Sequence, residues 1–160
     1  MAGRGTREQS LNLRQLTEKA REFYTPMFLC FVDYQKAFDN VRWDRLWQIM
    51  INIGIPKHLV VLVKNLYVQG HAVVKIESRL SGKCNISKGV RQGCVLSPLL
   101  FNIYSEFVMR AVMDEWHGGT SVGGVKISNL RFADDTVLIA KDQPEMEVII
   151  SRLEQISIHY

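Results

Sequence analysis

The sequence predicts an α+β fold, antiparallel strands backed by helices, and three observations carry the prediction. Apolar residues recur at helical spacing in five stretches. Short runs rich in β-branched and aromatic residues lie between them, and the later runs are joined by turn residues rather than long crossovers. The length of 160 residues suits one domain, and a domain of that size buries roughly two-thirds of the surface its unfolded chain exposes. An apolar content of 47% with 22% charged residues is ordinary for a globular chain, so disorder is excluded as the default.

Residues 6 to 24 pattern as a helix. Thr6 and Gln9 form a capping-box pair, and Leu13, Leu16, Ala20 and Phe23 recur on one face. Thr25-Pro26 stops it, because a residue before proline avoids the α region. A strand over 27–32, Met27-Phe28-Leu29-Cys30-Phe31-Val32, has the unbroken apolar character expected of burial on both faces. Asp39 or Asn40 is expected to cap a second helix carrying Trp43, Leu46, Trp47, Met50 and Ile51, ended by Gly54 and Pro56. A third helix runs from Lys57 to Val68 and stops at Gly70. Residues 71–77 and 83–88 pattern as a hairpin around Ser81-Gly82. Ser97-Pro98, a cap with proline at the first helical position, opens a long helix to about Trp116. Gly118-Gly119 and Gly123-Gly124 mark a loop, Leu130 to Ala140 pattern as two short β-segments, and Asp142 and Pro144 start a last helix through Ile149, Leu153 and Ile156.

The net charge of +4 and isoelectric point near 9.1 lean toward an anionic partner. Cys30, Cys84 and Cys94 are an odd number without C-x-x-C spacing, which fits a reduced protein better than a disulfide framework or a zinc site. His58, His71, His117 and His159 have no ligand-like spacing, and no apolar run approaches the length that spans a bilayer. The expected setting is intracellular, nucleus or cytoplasm, neither secreted nor in a membrane.

One local feature has no packing explanation. Phe132-Ala133-Asp134-Asp135 interrupts an apolar run of strand formers that resumes at Val137, Leu138 and Ile139. Adjacent carboxylates repel unless a cation lies between them, so an acidic pair at a hairpin turn suggests a divalent metal site. Asp33 ends the apolar strand far upstream. If the two strand ends meet in one sheet, three carboxylates converge, the layout that two-metal phosphoryl or nucleotidyl transfer requires. Taken singly, each observation has a plainer reading: an Asp pair is ordinary turn chemistry and Asp33 an ordinary strand end.

Three motifs in order decide between these readings. Asp33-Tyr34-Gln35-Lys36-Ala37-Phe38-Asp39, then Gly89-Val90-Arg91-Gln92-Gly93 with Leu96-Ser97-Pro98, then Phe132-Ala133-Asp134-Asp135 resemble motifs A, B and C of reverse transcriptases. The K-A-F-D ending, the R-Q-G-C-x-L-S-P-L-L-F-N run and the F-A-D-D core look most like the non-LTR (LINE-like) retrotransposons, and Arg4 to Gln9 resembles the segment that precedes motif A in those elements. Val95 departs from the pattern, standing where many relatives place proline.

The resemblance implies the palm of a right-hand polymerase, an antiparallel sheet backed by helices and lacking complete fingers and thumb. A helix before motif A would occupy 1–26 and the palm 27–160. It implies RNA-directed DNA synthesis onto a primer 3′-hydroxyl, with an RNA template, a DNA primer and dNTPs as partners. Fingers and thumb regions, or a partner protein, would complete the clamp. Two Mg²⁺ ions, with Mn²⁺ as a substitute, would be held by Asp33, Asp134 and Asp135. Phe38, five positions after Asp33, would select deoxyribose by colliding with a 2′-hydroxyl. Tyr34, Gln92 and Gly93 would border the incoming nucleotide, and Arg91, Lys88 and Lys36 would contact backbone phosphates. The alternative is a truncated or domesticated palm fragment that binds nucleic acid or protein without turnover.

Overall fold

The computed structural model describes residues 6–68 and 70–160, with the side chains of Thr6 and Phe132 outside that description. The Thr6 side chain of the expected capping box, and Arg4 and Gly5 of the leading segment, therefore lie outside the described residues. Contacts divide the chain into two compact units, residues 1–35 with 108–160, and residues 36–107.

The first unit is built on a three-stranded antiparallel sheet. Strand β1 (Phe28–Val32) pairs with β9 (Asp135–Ala140), and β9 pairs with β8 (Asn129–Phe132), in the order β1-β9-β8. The register runs from Phe28 opposite Ala140 to Val32 opposite Thr136. Because side chains alternate along a strand, Cys30, Val32, Leu138 and Ala140 share one face. Helix α5 (Gln143–His159) packs across β1 and β9 on that face, meeting Met109 and Val112 from helix α4 (Ser97–Met113). Val112, Leu138, Ala140 and Ile149 are fully buried there. Each such leucine or isoleucine is worth about 1.5–3 kcal/mol relative to exposure.

Helix α1 (Thr6–Glu22) packs against β8 and ends two residues earlier than patterned. Tyr24 adopts the left-handed conformation with φ 49° and the Thr25 N–H donates to the Ala20 carbonyl at 2.8 Å, a left-handed cap that turns the chain before Pro26 acts. The expectation that β1 is buried on both faces is corrected: it is an edge strand, and Phe28 and Phe31 are exposed. The glycine-marked loop is a small hairpin of β6 (Thr120–Val122) and β7 (Val125–Ile127) turning on Gly123-Gly124.

α5 starts as expected. The Asp142 side chain accepts the Glu145 N–H at 2.9 Å and a proline follows in the first turn. Glu145 reaches back to accept the Lys141 N–H at 2.7 Å and the Gly119 N–H at 3.0 Å, tying the entry of β6 to the helix start.

The second unit is mainly helical. α2 (Trp43–Asn52) and α3 (Lys57–Val68) pack with the first part of α4 around Val41, Leu46, Met50, Tyr67, Val90 and Leu100. Asp39 and Asn40 do not cap α2. Its N-cap is Arg42, which makes no side-chain capping bond, while 37–40 form a short 3₁₀ turn. The segment 71–88 is a two-tier hairpin: β2 (His71–Ala72) pairs with β5 (Cys84–Asn85), and β3 (Lys75–Ile76) pairs with β4 (Arg79–Leu80). Its turn is at 77–78, with Glu77 at φ 52°, not at Ser81-Gly82. Ser81 instead exchanges bonds with Val74, donating N–H to its carbonyl and accepting its N–H on Oγ, both at 2.9 Å.

Glu145→Ala removes the acceptor of two backbone amides and is expected to cost about 2 kcal/mol. Glu147→Ala, an exposed change on the same helix, is expected to stay within about 0.5 kcal/mol. Urea unfolding of both variants checks this, and equal midpoints would show that the Glu145 bonds carry no stability.

Candidate active site

The first unit carries the three aspartates. β1 ends at Val32 opposite Thr136, so continuing the antiparallel register one step sets Asp33 opposite Asp135, and Asp134 sits in the turn that joins β8 to β9. The turn is tight, because Phe132 pairs with Asp135 and leaves only Ala133 and Asp134 between the strands. Ala133 is held at φ 53°, a region that costs a residue with a Cβ roughly 1–2 kcal/mol. A strained, two-residue turn fixes where the Asp134 backbone stands.

Alternation places Phe31, Asp33, Asp135 and Val137 on the sheet face opposite α5. Asp33 and Asp135 are exposed, Asp134 is half-buried, and among the described residues none of the three forms an ion pair. Phe31, one alternation before Asp33, is 68% exposed. Tyr34 faces the other way, packing against the α5 core. Burial raises its phenol above the usual range, partly offset by the nearby Ser157 hydroxyl and the Arg131 guanidinium. The Ser157 Oγ itself is buried and meets no hydrogen bond of ordinary geometry. Tyr34 thus offers its backbone, not its ring, to the carboxylate end of the sheet.

The donor set is three carboxylates, hard oxygen ligands of the kind Mg²⁺ and Mn²⁺ take. Donor chemistry and register therefore fit a divalent cation. The carboxylates do not close on one point: among the described residues no group of three His, Cys, Asp or Glu side chains is gathered at metal-binding range. The expected convergence is thus one of backbone register and not of side-chain atoms. Like charges on exposed side chains separate when only solvent lies between them.

The other sequence-predicted residues belong to the second unit. Phe38 lies in the 3₁₀ turn with its ring stacked on Phe101, centroids 4.3 Å apart and planes 12° from parallel. Two backbone bonds clasp this turn to the segment before Gln92: the Gly89 N–H donates to the Val41 carbonyl and the Val90 N–H to the Phe38 carbonyl, both at 2.8 Å. The Trp43 indole N–H donates to the Gly89 carbonyl at 2.7 Å, and Lys88 Nζ to Asn40 Oδ1 at 2.9 Å. Gly89 has φ +89°, and a Cβ there would stand 2.9 Å from the Asp39 carbonyl oxygen. No side chain fits. Sequence patterning does not single out Trp43 or the close approach at Gly89, since neither residue type announces a partner dozens of positions away.

Gln92 and Gly93 are exposed in the following turn, where Gly93 takes φ +82°. Arg91 is exposed; one guanidinium nitrogen donates to the Leu66 carbonyl at 2.7 Å, finishing α3, and the group lies over the Tyr67 ring. Ser97, patterned as a helix cap, is buried and donates instead to the Arg91 carbonyl at 2.6 Å. Lys88 is engaged by Asn40, and Lys36 is exposed with φ 52° just before the 3₁₀ turn.

An antiparallel sheet backed by helices, with carboxylates at one strand end and in the adjacent turn, is consistent with the palm fold of right-hand polymerases. The structure resembles a truncated apo telomerase from Candida tropicalis, with a TM-score of 0.64 at 18% identity over 92% of this chain and 31% of that one. The chain belongs to the family described as reverse transcriptase (RNA-dependent DNA polymerase), whose pattern matches residues 3–160. It is 28% identical over 150 residues to the Pol polyprotein of the type-1 retrotransposable element R2 of Nasonia vitripennis, 94% of this chain and 14% of that protein. It is 30% identical over 132 residues to the corresponding R2 polyprotein of Popillia japonica, 82% of this chain and 21% of that one. The chain therefore spans about a fifth or less of these relatives. No helix among the described residues is long and apolar enough to cross a membrane.

Gly89→Ala, which adds a Cβ against the Asp39 backbone in a left-handed conformation, is expected to destabilise the chain by about 2 kcal/mol or more. Trp43→Phe keeps an aromatic ring but removes the indole N–H from the Gly89 carbonyl together with part of the packing, and is expected to cost about 2 kcal/mol or more. Equilibrium urea unfolding measures both; a Gly89→Ala protein as stable as its parent would show that the clasp yields freely.

Proposed function

We propose that this chain is the catalytic palm of an RNA-directed DNA polymerase of a non-LTR retrotransposon, joining a dNTP to a primer 3′-hydroxyl on an RNA template. The observation that carries the reading is the β1–β9 register, which sets Asp33 beside the Asp134-Asp135 turn. Asp33 and Asp134 would be the principal ligands of a divalent metal pair, with Asp135 beside them. Held there, Mg²⁺ would supply Lewis acidity toward the primer hydroxyl and the leaving pyrophosphate.

The chain's own residues bind and orient. The clasped turn carrying Phe38 would hold an aromatic wall under the incoming sugar, where a 2′-hydroxyl has no room. The exposed turn at Gln92-Gly93 would lie along the incoming nucleotide, the glycine permitting close backbone approach and the glutamine offering both donor and acceptor. Lys36 would be a phosphate contact. Arg91 and Lys88 would be phosphate contacts as well, steadied by their single bonds to the Leu66 carbonyl and to Asn40.

In the complete polymerase, Asp33→Asn and Asp134→Asn are each expected to lower primer extension by at least a hundredfold while primer–template binding stays within a few fold. Full-rate synthesis by either variant would remove the metal-site assignment. Binding without extension in the parent protein as well would favour a palm that no longer turns over. Phe38→Ala is expected to raise rNTP incorporation relative to dNTP at least tenfold in the same assay, and an unchanged ratio would place sugar selection elsewhere.

A further inference from the structure

The hairpin 71–88 has an organisation that neither the core nor the candidate active site explains. All eighteen of its residues are exposed. Its two tiers are held by their own backbone pairs and by the Val74–Ser81 exchange, and its base is anchored where Lys88 pairs with Arg42. Isolated two-stranded hairpins are marginal in water. This one also exposes Val73, Val74, Ile76 and Leu80, each at least half accessible. Aliphatic side chains held out on a ribbon, away from any core, signal a surface that is covered in use.

Charge indicates by what. Lys75, Arg79 and Lys83 lie in the hairpin with Glu77 as the sole acid between 71 and 88. Among the described residues none of these three cations forms an ion pair or a side-chain hydrogen bond. The contrast with Arg91 and Lys88, both tied to the protein, is direct. Within the ladder each cation faces an aliphatic residue, Lys75 opposite Leu80 and Arg79 opposite Ile76. The segment contains no Phe, Tyr or Trp, so the large rings that favour single-stranded bases are missing from it, and His71 lies at its base, in the outer pair with Asn85. A partner met through cations and small aliphatic groups, without stacking, is a duplex backbone: phosphates for the cations, and sugar edges in the wide, shallow minor groove of an A-like helix for the aliphatics.

We propose that the hairpin 71–88 is a docking surface for the backbone of an RNA–DNA hybrid duplex, with Lys75, Arg79 and Lys83 as its phosphate contacts. This rests on the reading of the chain as an RNA-copying polymerase. It adds a site that none of the three motifs contains.

The test is fluorescence anisotropy of a labelled RNA–DNA hybrid and of single-stranded RNA of the same length, titrated with the full chain across a salt series. The triple variant Lys75→Gln/Arg79→Gln/Lys83→Gln is expected to bind the hybrid roughly ten- to a hundredfold more weakly at about 0.1 M salt. The slope of log affinity against log salt should become shallower by about 2 to 3, near 0.9 for each phosphate that is no longer neutralised. A control of equal kind, Lys57→Gln/Lys64→Gln on α3, should keep the parental slope. Circular dichroism melting should coincide for all three proteins, since every substituted side chain is exposed. A parental slope in the triple variant, or an equal loss in the control, overturns the assignment while leaving the polymerase reading intact. Failure of the parent chain to bind the hybrid overturns this assignment and leaves the polymerase reading to the primer-extension assay of the complete enzyme. If the triple variant keeps its affinity while Ile76→Ser/Leu80→Ser alters the oligomeric state, the hairpin is a protein interface and the duplex assignment fails.

Discussion

Everything in the first unit depends on the register of β1 against β9. The pairing joins residues more than a hundred positions apart, and no local propensity dictates it. The apolar pattern does. With Val32 opposite Thr136, Cys30, Val32, Leu138 and Ala140 all face α5, and Phe31 and Asp33 face away. A slip of one residue exchanges the two faces. It would press the Asp33 carboxylate into a core of methionine, leucine and isoleucine, where an unpaired charge costs several kcal/mol, and would expose Val32. The packing that stabilises the sheet is therefore the same constraint that sets Asp33 beside the acidic turn. Core and candidate site cannot drift apart, because one two-residue period governs both.

The second unit solves a comparable problem with a close backbone approach. The turn bearing Phe38 makes no side-chain cap, and its neighbours Asp39 and Asn40 are exposed. What holds it is the strand-like passage of Gly89 and Val90, bonded to Val41 and Phe38, with the Trp43 indole finishing the Gly89 carbonyl. This divides the G-V-R-Q-G motif by physical role. Gly89 and Val90 are buried scaffold, and Arg91 closes α3 by serving the Leu66 carbonyl. Gln92 and Gly93 face outward, where packing within the unit does not account for them. A motif that looks uniform in sequence is thus mostly architecture carrying a short chemical tip.

The parts legible in the sequence are those whose signal is local. The α3 boundaries, the start of α5 at Asp142 and the acidic hairpin follow from spacing, caps and turn residues a few positions apart. What escaped is non-local or ambiguous. Ser81-Gly82 and Glu77-Ser78 both offer turns, and the more glycine-like signal lost because Ser81 is needed as the partner of Val74 between the two tiers. Ser97 carries a cap's side chain ahead of a proline, yet its hydroxyl satisfies the Arg91 carbonyl, six residues upstream. The aspartates were legible as a set only because motif order linked them. Their register needed the alternation of β1, whose exposed Phe31 hides a one-sided strand inside an unbroken apolar run.

The distribution of charge follows from what a palm has to do. Carboxylates that gather cations also repel a polyanion, so they cannot be the surface that captures it. Capture needs positive groups free of internal partners, while the acids stay at a strand end where cations arriving with the substrate can neutralise them. Under the proposed function the first demand falls to the net charge of +4 and the cations of an all-exposed hairpin in the second unit. The second falls to aspartates at the exposed end of the sheet in the first unit. Phe31 belongs to the same logic. An aromatic ring left accessible one alternation from Asp33 is costly in a finished monomer surface, and under the proposed function it would lie on a face that a duplex end covers. Segregating capture from chemistry lets attraction act at long range and leaves the carboxylates for the short-range step, where their own repulsion becomes affinity for the cations between them.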